Sequence, residues 1–422
     1  MKNILIAIRS IFKKGRHNVM KIVSLGIGLA VGLVLIAKVY FEQSYDDFYP
    51  DRDRVYQVWA KYQQNGGELK DYPQTSGGIA PTMQQQIPEI ETVTRYTSFG
   101  DWTFTMTDTK MKYSGRCIIA DSCFFDILPR PMLIGNAKEV LSTPMYVLVS
   151  SRIAKNIGGD VIGKNFTVDS SPGRTMTIGG VFEEVPENSH SRYDVIVSMA
   201  SAGRFMWEGS PTNMLGNDRY ISYVKLHKGV NPLALEEQVH TFVNSYFPPE
   251  EQQKTGFNIG FSFHELDGLH KELPQVKRMT WILSLLAFAL IFTAVMNYIL
   301  IVISSIVNRS KEVAVHKCYG ASENNIHGMM FGEALVHIVL SLILALLLIL
   351  AFRGTVEELL ATSLDSLLLS NGSLVLLGIC ILVFFVSGFM PGSLYARIPV
   401  ASAFRNYREN KRIWKKALLL VQ

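Results

Sequence analysis

Charge is scarce in this chain. Asp, Glu, Lys and Arg make up 18% of its 422 residues, where soluble globular proteins carry nearer about 25%. Cysteine is rarer still, at four residues. Cys117 and Cys123 form a lone C-x5-C, which is not a zinc spacing; whether they form a disulfide stays open. The chain has no nucleophile motif, no metal-ligand spacing and no carboxylate pair in a persuasive setting. Its histidines His190, His227, His240, His264 and His270 are scattered, and read as surface or turn residues rather than ligands. These absences argue against an enzyme and against a resident cofactor or metal.

Apolar side chains are what the sequence has in plenty, at 48%. They gather into four runs: Ile22–Phe41, broken only by Lys38, the uncharged Met279–Val307, Ala334–Phe352, and the uncharged Asn371–Ala396. Each reaches the roughly 20 residues a helix needs to cross about 30 Å of hydrocarbon. Buried helices of soluble proteins are usually much shorter. The runs therefore read as four transmembrane helices, at 19–41, 279–307, 331–352 and 371–396, with Lys38 snorkelling to the interface. A signal peptide also follows a basic N-terminus, but this first stretch is too long and no small-residue cleavage site follows it.

Basic residues set the orientation. Lys2, Arg9, Lys13, Lys14, Arg16 and Lys21 precede the first run with no acid among them. Arg397, Arg405, Arg408, Lys411, Arg412, Lys415 and Lys416 follow the fourth, against Glu409 alone. The positive-inside rule places both termini in the cytoplasm and 42–278 on the far side of the membrane. These flanks account for the net charge of +5, so the partner implied is membrane lipid and not nucleic acid. The first stretch, 1–18, is amphipathic, with Ile4, Leu5, Ile8, Ile11 and Phe12 on one face and Lys2, Arg9, Lys13 and Arg16 on the other, which suits an interfacial helix.

The external segment 42–278 is mixed and polar. Arg54–Tyr62 reads as a strand, followed by a helix and a second strand. Tyr220–Leu226, a helix over Pro232–Tyr246 and Phe257–Leu266 repeat that order. The flanking pieces form one subdomain, and a block at about 102–200 is inserted into it. The fold class is a membrane protein with four transmembrane α-helices and a large α+β extracytoplasmic domain between helices 1 and 2.

Between the second and third runs, 308–330, lies "NRSKEVAVHKCYGASENNIHGMM". Good helix formers fill Lys311–Tyr319, Gly320 stands where a helix ends, and Ser322 where the next begins as its N-cap. This short, basic-flanked hairpin suits docking to a cytoplasmic partner; an ordinary solvated hairpin has the same pattern. The stretch resembles the signature of FtsX-like ABC transporter permeases, Arg/Lys-Glu-Ile-x-Ile-Arg-x-x-Gly-Ala-Ser with Glu-Ala at the next span. Glu312, Val313, Val315, Lys317, Gly320, Ala321 and Ser322 match it, Glu333 and Ala334 follow, and His316 departs from a frequent Arg. "YVLVSSRIAKNIGGDVIGKNFTV" resembles the external core of the MacB-like branch, and "SGFMPGSLYARIPVASAFR" that family's exit from the last span. There Pro391 kinks the helix and Pro399 ends its continuation.

The resemblance implies a permease subunit that holds no cofactor itself. ATP and Mg²⁺ are bound by a partner cytoplasmic ABC ATPase, whose closure moves the hairpin and, through long helices, the external domain. It implies export or efflux, with a second permease half or a homodimer, and a periplasmic adaptor with an outer-membrane channel or lipoprotein. Lys311, Glu312, Lys317, Gly320, Ala321 and Ser322 then form the coupling element. The bacterial inner membrane is the implied location. A non-transporting regulator of an external wall hydrolase or sensor kinase on the same scaffold is the alternative.

Gly28 and Gly32 carry the small-xxx-small spacing of closely packed membrane helices, a candidate contact with another permease half. Asn297 and His337 are candidates for polar contacts between helices. Within the basic tail 397–422, Ala403–Gln422 resembles Ala7–Gly26 in plan, and the tail reads as the start of a second half of a tandem permease, a natural single half being the alternative. "GGDVIGKN" (158–165) resembles a P-loop in Gly158, Gly163 and Lys164, but Asn165 replaces the Mg²⁺-binding hydroxyl. Its predicted helix-before, strand-after context reverses the P-loop order.

Overall fold

The computed structural model describes residues 18–169, 171–304, 313–368, 372, 375–383 and 385–386. Helix α1 (Asn18–Gln43) leads into a segment holding α2 (Ile79–Gln86), α3 (Ser151–Ile157) and α4 (Glu236–Tyr246) among eleven strands. Then come α5 (Pro274–Ser304), α6 (Glu323–Ala351) and α7 (Arg353–Leu360). The chain divides into two compact units, Met1–Gln43 with Pro274–Gln422, and Ser44–Leu273.

In the helical unit, α1, α5 and α6 are each long and apolar enough to cross a membrane. The fourth expected span lies largely outside the described residues, as do 1–17, Lys311, Glu312, Pro391 and Pro399; 375–383 are helical. On α1 the buried Leu25, Leu29 and Leu33 recur every four residues, one stripe of a 3.6-residue helix. They pack with Ala294, Tyr298 and Val302 of α5 and Ile338, Ala345 and Ile349 of α6. The opposite stripe, Val19, Val23, Ile27 and Val31, is exposed, as suits a helix whose solvent is lipid. Glycine permits the closest approach. A Cβ on Gly28 would lie 2.2 Å from the Ala294 Cβ, and one on Gly32 2.4 Å from Ile291 Cγ1. The small-xxx-small face of α1 therefore meets α5 of the same chain.

The second unit is one mixed sheet. Its strands are β1 (Val55–Gln64), β2 (Lys70–Tyr72), β3 (Ile90–Met106), β4 (Lys112–Ala120), β5 (Met132–Ile134), β6 (Tyr146–Ser150), β7 (Asn165–Val168), β8 (Ser171–Phe182), β9 (Val195–Ser198), β10 (Ile221–Leu226) and β11 (Phe257–Glu265). The order is β11-β1-β10-β3-β4-β9-β6-β8-β5, with β2 on β1 and β7 bridging β3 and β8. The flanking pieces β1–α2–β3 and β10–α4–β11 interleave, because β10 sits between β1 and β3 while β1 sits between β10 and β11. Ile79, Ala80 and Met83 of α2 and Val239, Phe242 and Val243 of α4 share one core with Tyr56, Val58, Val93 and Val224.

Strand β3 runs straight through the boundary expected at about 102. It pairs with β10 over its first half and β4 over its second, and a bulge between Ser98 and Gly100 turns it. Beyond that bulge the strands are buried on both faces. Cys117 and Ile119, Val147 and Val149, Val195 and Val197 face one core; Ile118 and Ala120, Leu148 and Ile196 face the other. That is the two-residue period of a strand, filled with apolar residues on both sides. Cys117 and Cys123 are both free thiols.

A capped hairpin as the candidate functional site

The hairpin is built by two helix caps. Residues 313–318 are helical. Gly320 N–H donates to the Lys317 carbonyl at 3.0 Å, and Ala321 N–H to the His316 carbonyl at 3.0 Å. This pair of bonds is a Schellman motif, whose turn residue must adopt a left-handed conformation. Gly320 does so at φ +86° and has open space around it, so conformation and not crowding demands glycine. Two residues on, Ser322 Oγ accepts from the Asn325 N–H at 3.3 Å and caps α6. The turn between helices is thus Gly320 and Ala321 with little freedom left.

Its inner side is anchored. Val313, Ala314 and Ile326 are buried in the core made by α1, α5 and α6. Its outer side, Val315, His316, Cys318 and Tyr319, is exposed, Tyr319 at 88%. Lys317 is half-buried. The turn thus presents a large aromatic side chain to its surroundings.

Along α6 the hairpin connects to a polar stripe. Glu333, His337 and Ser341 follow at four-residue intervals and are buried. His337 Nδ1 lies 3.2 Å from the Tyr298 hydroxyl of α5, and Ser341 Oγ donates to the Ile22 carbonyl of α1 at 3.1 Å. Polar contacts of this kind tie helices together where no water competes. His337 makes a contact of the type expected of it. Asn297 instead lies on the exposed face of α5, and its neighbour Tyr298 makes the bond. Tyr298 and Ser341 gave no signal in sequence, since both blend into apolar runs.

The sheet unit holds a second polar centre that the sequence did not announce. Asp46, at φ +60° and fully buried, lies three residues beyond α1. Its carboxylate accepts from Ser189 Oγ at 3.0 Å and stands 2.7 Å from His190 Nδ1. The other ring nitrogen of His190 contacts the Tyr223 hydroxyl of β10. Burial raises the Tyr223 phenol well above its ordinary value and pushes that of neighbouring Tyr96 up to about 12. His190 therefore sits in a turn as expected, but half-buried between two partners and not at the surface. His264 likewise stacks on Trp59 and His270 on Tyr45.

The P-loop resemblance ends in geometry. Helix α3 precedes Gly158 and β7 begins at Asn165. Gly158, Gly159 and Gly163 all have positive φ, and Lys164 Nζ donates to the Gly158 carbonyl at 3.3 Å. No helix N-terminus follows the glycines to face a phosphate.

Two family models match parts of this chain. Residues 20–242 match the MacB-like periplasmic core domain, and 284–400 the FtsX-like permease C-terminal domain. Among solved structures, a permease-protein domain from Porphyromonas gingivalis is 32% identical, with 51% of this chain and 91% of that one covered at a TM-score of 0.47. The periplasmic region of MacB from Actinobacillus actinomycetemcomitans is 15% identical, covering 52% and 92% at 0.35. The extracellular domain of the noncanonic ABC-type transporter YknZ from Gram-positive bacteria is 10% identical, covering 49% and 98% at 0.35. No curated protein matches the chain. With the first family match extending over half of its length, the chain belongs to the ABC-transporter-type permeases that join a MacB-like periplasmic core domain to an FtsX-like membrane domain.

Proposed function

We propose that this permease couples ATP hydrolysis by a separate cytoplasmic ABC ATPase to a conformational change of its periplasmic domain, for export or efflux. The observation that carries the reading is the hairpin. It exposes Tyr319 on a turn fixed by Gly320 and Ser322, while Val313, Ala314 and Ile326 root it among the membrane helices. A push on a rigid turn is delivered to the helices that hold it. In this reading ATP and Mg²⁺ are bound by the partner ATPase. Lys311, Glu312 and Lys317 supply charged contacts to it, and Ala321 keeps the turn small. A second permease half or copy completes the membrane assembly. An adaptor with an outer-membrane channel or lipoprotein receives the periplasmic motion, and both termini lie in the cytoplasm.

The test uses the native complex purified with its ATPase. Exchanging charges with Glu312→Lys and Lys317→Glu leaves the chain folded and uncouples ATP hydrolysis from function. Normal coupling in that double variant sinks the assignment. Co-purification of a wall hydrolase or sensor kinase, in place of efflux partners, redirects the reading to transmembrane regulation.

A further inference from the structure

The helical unit contains a cleft of about 390 Å³ lined by α1 (Ile27, Val31, Val34), the end of α6 (Leu348, Phe352) and α7 (Leu359), among other apolar side chains. The volume is within the roughly 300–1,000 Å³ of small-ligand sites. Such sites normally include a few polar groups that orient the ligand; every side chain lining this one is apolar. Helix α7 is amphipathic, with Val356, Leu359 and Leu360 toward the cleft and Arg353 paired to Glu357 at 2.9 Å elsewhere. Leu359 is 78% exposed, which suits a helix lying in the membrane interface.

A second, independent feature lies at the end of both walls. One turn beyond Val34 on α1 comes Lys38, and two residues beyond Leu360 comes Thr362. Lys38 is buried, its Nζ 2.6 Å from Glu42 Oε1 and 2.7 Å from Thr362 Oγ1. The same Nζ lies over the Phe41 ring, 5.0 Å from its centroid. An apolar slot whose α1 wall carries a buried ammonium one turn further on has the polarity of a single-chain amphiphile. The end of α1 leads at Ser44 into the periplasmic domain, so the leaflet concerned is the periplasmic one.

We propose that this cleft is a lipid site, which holds one acyl chain of a periplasmic-leaflet phospholipid with its ester and head group beside Lys38. A hydrocarbon chain satisfies a lining with no donor or acceptor, and the Lys38 ammonium meets an ester carbonyl or phosphate oxygen. Boundary lipid, by contrast, coats every exposed stripe of α1 alike.

The experiment uses the full chain in nanodiscs of phosphatidylethanolamine and phosphatidylglycerol, doped with phosphatidylglycerol bearing a diazirine on one acyl chain. After irradiation, adducts are mapped by peptide mass spectrometry. The expected result is adducts concentrated on 27–35 and 348–360 over the outward positions Val19 and Val23. Val31→Trp with Leu359→Trp fills the cleft from its exposed side. It lowers the yield there about tenfold, as when roughly two methylenes lose their burial, and leaves Val19 and Val23 unchanged. Lys38→Gln with Glu42→Gln removes the cation without stranding a buried charge, and shifts adducts away from 27–35. Even labelling along α1, or no response to the tryptophans in a variant that still melts cooperatively, overturns the proposal. So does Val31→Cys forming a disulfide with a second copy in the nanodisc, which gives the cleft to a protein interface.

Discussion

The two units of this permease are held together by opposite means. The helical unit relies on closeness: glycines bring α1 onto α5, and apolar side chains fill the rest. The sheet unit sets a hydrogen-bonded polar centre between its apolar layers, made by Asp46, Ser189, His190 and Tyr223. In lipid there is no hydrophobic drive to bring helices together, so contact distance decides. In water the sheet gains its apolar layers freely, and the unpaired polar group is the hazard. The helical unit should therefore fail when bulk is added, and the sheet unit when a partner is removed.

The sharpest break comes from Gly28→Leu. Its Cβ alone would overlap Ala294, and overpacking of this severity costs about 3 kcal/mol or more. Thermal unfolding of the detergent-solubilised chain should show the loss, and Ala294→Gly should recover part of it. A melting temperature unchanged by Gly28→Leu would disprove the close approach. Next is Asp46→Ala, which strands the Ser189 and His190 donors in a buried site, at about 2–3 kcal/mol. Asp46→Asn keeps acceptor and shape and should lose less. Protease susceptibility of the 187–191 loop distinguishes the two variants.

Smaller is Gly320→Ala, which places a Cβ in a left-handed residue at about 1–2 kcal/mol. Space is free there, so the fold survives; hydrogen exchange at 313–326 should rise while the sheet unit stays unchanged. The smallest effect is electrostatic. Hydrogen bonds from Lys225 and Arg54 hold the Asp51 and Glu91 carboxyls, respectively, below the usual range. A lowered folded-state pKa adds stability that is fully present above the unfolded value of about 4 and is lost as pH falls through the folded one. Both groups are over a third exposed, so each contributes less than about 1 kcal/mol. Asp51→Asn should flatten the acid limb of a stability–pH curve below about pH 4, without moving the neutral plateau by more.

What could be read in the sequence was local. The apolar runs marked α1, α5 and α6 because span length is a property of consecutive residues. Gly320 and Ser322 announced the hairpin because caps are short-range chemistry. The surroundings of Gly158–Asn165 already separated it from a phosphate loop. Pairings between distant residues were illegible. Nothing around His190 points to Asp46, 144 residues away. Nothing in β3 says that one strand serves both halves of the sheet, since its bulge at Ser98 and Gly100 resembles a boundary. Gly28 and Gly32 signalled close packing, but spacing does not name the neighbour, which proved to be α5.

One feature of the sheet bears on how it carries load. The chain comes in through β1 and goes out through β11, and these are antiparallel neighbours, with Tyr56 opposite Glu265. Opposed pulls at Ser44 and Leu273 therefore act at the same end of one ladder and open it like a zipper, one hydrogen bond at a time, where shear would load all bonds at once. At that end Arg52 and Lys271 each bridge Asp47 and Asp267, at 2.9–3.3 Å. Four surface charges of little worth in a stability measurement thus stand where the first tooth of the zipper would part. Their contribution is to the threshold force, and it weakens as salt rises.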